Sequence, residues 1–208
     1  MNFDAEALQQ QIPYYLTADP AKKVLLAELK SLSEGAVQGY FTPSELDAHK
    51  GEMLQGDGWR GFQVFSFATG DRNRVRGIIL SNSCDLSPEN ERVLPPKITF
   101  APIIRLAKLE ERFLDSGLKQ EQIKSRLQAI RSQSITSMFY LPADDPLSTE
   151  YVALLDDLHS MPVEALREVS DKLFTLSLAG FYLYVFKLSV HFCRLQENID
   201  RNPKFVAV

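Results

Sequence analysis

Three arginines stand at alternate positions, Arg72, Arg74 and Arg76. On an extended chain, residues two apart share a face. A row of guanidinium groups can hold phosphate oxygens through paired, charge-assisted hydrogen bonds. The competing account is a solubilising hairpin whose charges protect a strand edge. Just beyond lies Ser81-Asn82-Ser83-Cys84-Asp85. A Cys84 thiolate nucleophile would need a base from His49, His159 or His191; a lone cysteine otherwise packs as a small apolar residue. Asp85 suits an Asx-turn that orders the loop through nearby amides. A third group is Asp156, Asp157 and His159. An imidazole moves protons near neutrality, whereas paired aspartates also solvate or cap a turn. Three scattered histidines make no metal-ligand cluster, and no metal or cofactor is expected.

The chain around these residues has 208 residues, 45% of them hydrophobic and 24% charged, which is enough for a folded core and argues for one domain spanning 1–208. Its net charge of −4 lacks the basic balance of most nucleic-acid binders, so a nucleic-acid site must be a local patch. Two cysteines, Cys84 and Cys193, form no C-x-x-C and point to a reducing cytoplasm. The acidic N-terminus lacks the pattern of a signal peptide. The apolar run from Leu173 to Cys193 contains Lys187 and His191, which favours a buried helix over a membrane span.

The elements that must position the candidates follow from periodicity. Helices are expected over 4–11 and 20–33, the second with Val24, Leu25, Leu29 and Leu32 at helical spacing. Asp19-Pro20 is a plausible start. Residues 34–58 are glycine-rich loop, with one capped turn at Ser44-Glu45-Leu46-Asp47. From Trp59 the period becomes two, with a slip between Val64 and Phe65 that implies a bulge or a strand buried on both faces. Thr69 to Asn73 is turn chemistry, and Val75 to Ser81 completes a hairpin. Ile98 to Ile104 is a third strand, which Pro102 places at an edge or bulge. Residues 105–134 form an inserted helical hairpin around Gly117. Met138–Leu141 and Tyr151–Leu155 are short strands, and Leu173–Leu176 is a last one. The final helix runs over 177–199, its packing stripe made of Phe181, Val185, Leu188, Phe192 and Leu195.

Four segments, in this order, carry a family resemblance: Gln55-Gly56-Asp57, Val75 through Asn82, Phe100-Ala101-Pro102-Ile103-Ile104, and Ala153 through Ser160. Together they resemble the PemK/MazF toxin family. The likeness covers roughly 54–105 and 138–196. It implies an α+β fold, a small SH3-like β-barrel over 54–104 and 138–176. To this the chain adds an N-terminal helical extension over 1–50, the 105–134 insertion and the C-terminal helix. It also implies a cytoplasmic homodimer that cleaves single-stranded RNA without metal, with an antitoxin or other protein partner and no membrane.

On that resemblance Arg76, Asp156 and His159 would be catalytic, and Arg72, Arg74, Ser81 and Asn82 would contact RNA. Ser83-Cys84-Asp85 is not a hallmark of that family, and Cys84 and Asp85 are expected from their own chemistry to order the loop or react. The chain departs from the family at Gly77, where proline is usual, and at Leu154, where some members carry an arginine. The inserted segment carries seven bases against four acids. It is either an RNA arm or a charged helix surface with pairs such as Lys108–Glu111 and Arg112–Asp115. The alternative to an enzyme is a non-catalytic barrel that binds nucleic acid or protein in a toxin–antitoxin or phage-defence setting. The acidic balance of residues 1–50 suggests that the N-terminal helices cover the groove.

Overall fold

A computed structural model describes residues 19–33, 38–90, 92–167 and 171–192. The expected helix over 4–11 and everything beyond Phe192, including Cys193 and Leu195, lie outside the described residues. The chain is α+β. In order run α1 (Asp19–Ser33), β1 (Gly58–Phe65), β2 (Arg72–Ile79), α2 (Ser83–Leu86), β3 (Lys97–Arg105), α3 (Leu106–Asp115) and α4 (Gln120–Arg131). There follow β4 (Met138–Leu141), β5 (Tyr151–Leu154), β6 (His159–Pro162), α5 (Val163–Arg167), β7 (Lys172–Phe174) and α6 (Leu178–Phe192). The strands form one open antiparallel sheet in the order β4-β5-β3-β2-β1-β7, with β6 also paired to β3.

Alternation along β2 and β3 sends side chains to two cores. Phe62, Ile79, Ile98, Phe100 and Met161 fill one. The other takes Ile78, Ala101, Ile103 and Ala153, and is closed by Leu25, Leu29 and Leu32 of α1 and by Leu183 and Tyr184 of α6. Each buried Ile, Leu, Phe or Met among them contributes roughly 1.5–3 kcal/mol by leaving water. Gly77 lies under a stacked Phe62–Phe100 pair with centroids 4.1 Å apart. A Cβ there would come within 2.7 Å of Phe62 and 2.9 Å of Phe100. That contact is why glycine stands where the resemblance expects proline.

The helical insertion is present as α3 and α4, turning through Gly117 at φ +80°. Leu106, Leu109, Ile123, Leu127 and Ile130 pack on Tyr140 and Val152. Neither Lys108–Glu111 nor Arg112–Asp115 closes to ion-pair distance among the described residues.

Several expectations need correction. The bulge in β1 is at Gly61 (φ +99°), between Arg60 and Phe62, not at Val64–Phe65. The strand ends at Phe65, so Phe67 belongs to the turn. β2 begins at Arg72 rather than Val75, because Phe65 pairs with Arg72. Ser44–Asp47 makes a turn closed by Leu46 N–H to the Pro43 carbonyl, not a helical turn.

Of the two places expected for Pro102, the edge does not hold, since β3 has partners on both sides, while the irregularity does: residues 154–158 stand opposite Ala101 and Pro102 alone. Its missing N–H is tolerated because the β6 ladder ends at Phe100 and the β5 ladder begins at Ile103. The buried face of α6 is Ala179, Gly180, Leu183, Tyr184 and Lys187, whereas Phe181, Val185 and Leu188 are half-buried and Phe192 is exposed. A helix apolar on all sides gives periodicity no face to choose. Gly180 sets the choice, since a Cβ there would lie 2.3 Å from the Tyr40 carbonyl oxygen.

Candidate functional site

The bulge at Gly61 determines what Arg60 faces. It brings Arg60 directly opposite Arg76, and the next register places Gln63 opposite Arg74. Cross-strand partners share a face, so Arg60, Arg74 and Arg76 lie on one side of the ribbon. On the far side of β2, Arg76 pairs with Ile103, two residues before Arg105. Without a break the chain then turns into α3, which presents Lys108 and Glu111. These residues line an open cleft of about 720 Å³ bounded by β1, β2, β3 and the start of α3. Five cations, Arg60, Arg74, Arg76, Arg105 and Lys108, face one carboxylate, Glu111.

No carboxylate lies within ion-pair distance of any of the five cations among the described residues. Like charges directly opposite on a sheet cost about 0.2–1 kcal/mol, so Arg60 and Arg76 are held together against their repulsion. The guanidinium carbon of Arg76 lies 5.7 Å from the centre of the Tyr151 ring, a cation–π contact that fixes its direction. The Tyr151 hydroxyl is subject to opposing effects. Burial raises its pKa, but hydrogen bonding with Thr149 and Arg105 and the charges of Arg76 and Arg105 outweigh this and lower it.

Glu150, next to Tyr151, fixes the helical wall of the cleft. Its carbonyl accepts the Leu106 N–H at 3.0 Å, at the first residue of α3. Its carboxylate accepts Arg131 Nε and an Arg131 terminal N–H at 2.7 and 2.8 Å, and the Tyr140 hydroxyl at 2.6 Å. The Arg131 hydrogen bonds, opposed by partial burial, hold its pKa below the usual range.

The other expected site residues lie elsewhere. Arg72 is exposed at the start of β2, opposite Phe65. Ser81 Oγ accepts the Thr99 N–H at 2.8 Å. Asn82 Oδ1 accepts the Cys84 N–H at 2.9 Å and caps α2. Both side chains are thus engaged in shaping the loop. Cys84 is an exposed free thiol. Asp85 pairs with Arg92 at 3.0 Å; the turn to a nearby amide that was expected of it is made by Asn82 instead.

Asp156 is exposed in the loop joining β5 to β6. His159 Nε2 lies 3.0 Å from Asp157 Oδ1, and its ring stacks on Phe100. His159 is paired with Phe100 and Arg76 with Ile103, three residues apart on β3. By alternation, the imidazole and the Arg76 guanidinium leave the sheet on opposite faces.

Asp57, in the glycine-aspartate opening, is buried with a 2.8 Å ion pair to Lys172 and an amide from Leu54. Burial outweighs these and raises its pKa. It supports the β1–β7 corner. Neither α1 nor any other described residue before Arg60 lines the arginine cleft, so the described part of the N-terminal extension packs in the core and does not cover it. Among the described residues, no group of three His, Cys, Asp or Glu side chains could hold a metal ion, and no helix is long and apolar enough to cross a membrane.

Arg60, Arg105, Lys108, Glu111 and Tyr151 were not singled out from the sequence as site residues. Their one sequence signal was the excess of basic residues in the insertion, which pointed to Arg105 and Lys108. No family model matches the chain, and no curated protein matches it.

Proposed function

We propose that the arginine cleft binds the phosphate backbone of single-stranded RNA, and that the protein is a PemK/MazF-like nucleic-acid-binding module whose strands correspond to that family's small barrel. The observation that carries this is the convergence of Arg60, Arg74, Arg76, Arg105 and Lys108 on one cleft, none of them ion-paired to a carboxylate among the described residues. Such a group is stabilised when phosphates displace its counterions and relieve its mutual repulsion. The cleft is also open to solvent rather than enclosed, as a chain-like ligand requires. His159 leaves the sheet on the face opposite Arg76 and Asp156 does not line the cleft, which favours binding without cleavage over the endoribonuclease.

The test is affinity for a fluorescent single-stranded RNA across a salt series. Five phosphate contacts, one for each cation, give a slope of log affinity against log salt of about −3.5, at about −0.7 per contact. Arg74→Ala with Arg76→Ala should flatten it by about 1.4. A wild-type affinity that is salt-independent, or unchanged in the double variant, would sink the proposal. Shortening of the RNA in the same tubes, abolished by Arg76→Ala, would restore the endoribonuclease in its place.

A further inference from the structure

Beyond the cleft, the β1–β2 ribbon ends in two aromatic side chains that the core does not use. Phe65 is 48% exposed and Phe67 is 93% exposed. Their rings meet edge to face with centroids 5.1 Å apart, so they form one small apolar surface. The turn is pinned by Ser66 N–H to the Asp71 carbonyl and by Gly70 N–H to the Ser66 carbonyl, with Gly70 at φ +75°. The surface is therefore carried on a closed turn.

Register relates this surface to the arginines. Phe65 is opposite Arg72, Gln63 opposite Arg74, and Arg60 opposite Arg76. All three pairs occupy the same face of the ribbon. One walks from the cleft to the tip by passing Arg76, Arg74 and Arg72 in steps of about 7 Å, two residues of strand at a time. A file of cations that ends on exposed aromatic rings is the chemistry of a single-strand binder, with arginines tracking phosphates and π-faces taking bases. A duplex hides its base faces in its own stack, and an acidic peptide has no use for the rings.

We propose that Phe65 and Phe67 form a base-stacking platform, on which a nucleobase rests while the adjoining backbone runs along Arg72, Arg74 and Arg76 into the cleft. The platform rests on the reading of the cleft as a phosphate-binding site and adds the contact that selects an unpaired strand. Phe67 is the outer ring, and Phe65 anchors it to the arginine file.

The experiment uses the full chain and two probes of equal length and charge: a single-stranded oligoribonucleotide and the same strand with abasic residues. Wild type should bind the base-containing strand about tenfold more tightly, the loss expected for one stacked base. Phe65→Ala with Phe67→Ala should remove that preference while keeping both the affinity for the abasic strand and the salt slope. Both residues are exposed, so the variant should unfold at the same urea concentration as wild type. Equal wild-type affinity for the two strands would overturn the platform and leave the cleft standing. So would an unchanged preference in the double variant. Binding of neither strand would remove the cleft reading and the platform with it.

Discussion

The carboxylate of Glu150 receives Arg131 from α4 and Tyr140 from β4, while its carbonyl receives the first amide of α3. Burial and Glu150 together push the Tyr140 hydroxyl well above its ordinary pKa, so it stays a donor. Glu150 has a folded pKa below the ordinary value. Its contribution to stability is thus complete above the ordinary glutamate value of about 4.3 and is lost as pH falls through the lower folded value. Glu150→Gln should cost about 1–2 kcal/mol at pH 7, since the pair is partly exposed. In urea unfolding, the gap between wild type and variant should narrow as pH is lowered from neutrality through the acid range; a constant gap would refute the assignment. At this scale the sequence was legible for Arg74 and Arg76, whose spacing alone put them on one face. It was not legible for Arg60. Were the register of the hairpin tip continued past Gly61 without the slip, Arg60 would oppose Gly77 and face the Phe62 core. No pattern in residues 59–65 signals that slip.

Among the elements, the stack of Phe62 on Phe100 above Gly77 leaves no space for a side chain. Gly77→Ala should destabilise by about 1–3 kcal/mol through overpacking, seen as a lower urea midpoint with an unchanged slope. A neutral result would mean that the two rings part easily. The inserted hairpin and α1 were legible because their apolar residues recur at helical spacing over three turns. β6 was not. His159–Pro162 buries only Met161 fully, and four residues with one large apolar side chain do not read as a strand. The loop before it carries Asp156, while the sheet itself separates His159 from Arg76. Five residues, 154 to 158, stand opposite Ala101 and Pro102 alone, so the chain bulges away from the sheet where the resemblance would place its catalytic acid.

Over the whole molecule, α1 and α6 close the second core together. Leu29 is fully buried within it. Leu29→Ala should cost about 2–4 kcal/mol, read as a shift of the urea midpoint. A loss under 1 kcal/mol would mean that α1 is peripheral after all. The same core buries Lys187, whose ammonium donates to the Gln133 carbonyl and whose pKa burial pushes down to about 8. That lysine was the sequence feature that argued against a membrane span, and the structure places it facing inward beside Leu183 and Tyr184. The choice of α6 face depended on contacts from residues 140 positions away, such as the Tyr40 carbonyl over Gly180, which no local pattern encodes.

The corner between β3 and α3 has a mechanical consequence. Arg105 ends the strand with extended backbone and Leu106 begins the helix, so floor and wall of the cleft meet at a single peptide. A gap hinged on a loop breathes; one hinged on a single peptide behaves as a caliper with its jaws preset. Glu150 clamps one jaw, and the sheet is the other. A strand can then settle into a gauge that already has its width, so little ordering entropy is spent on entry. The width would change only if the whole hairpin tilted as one lever about that corner.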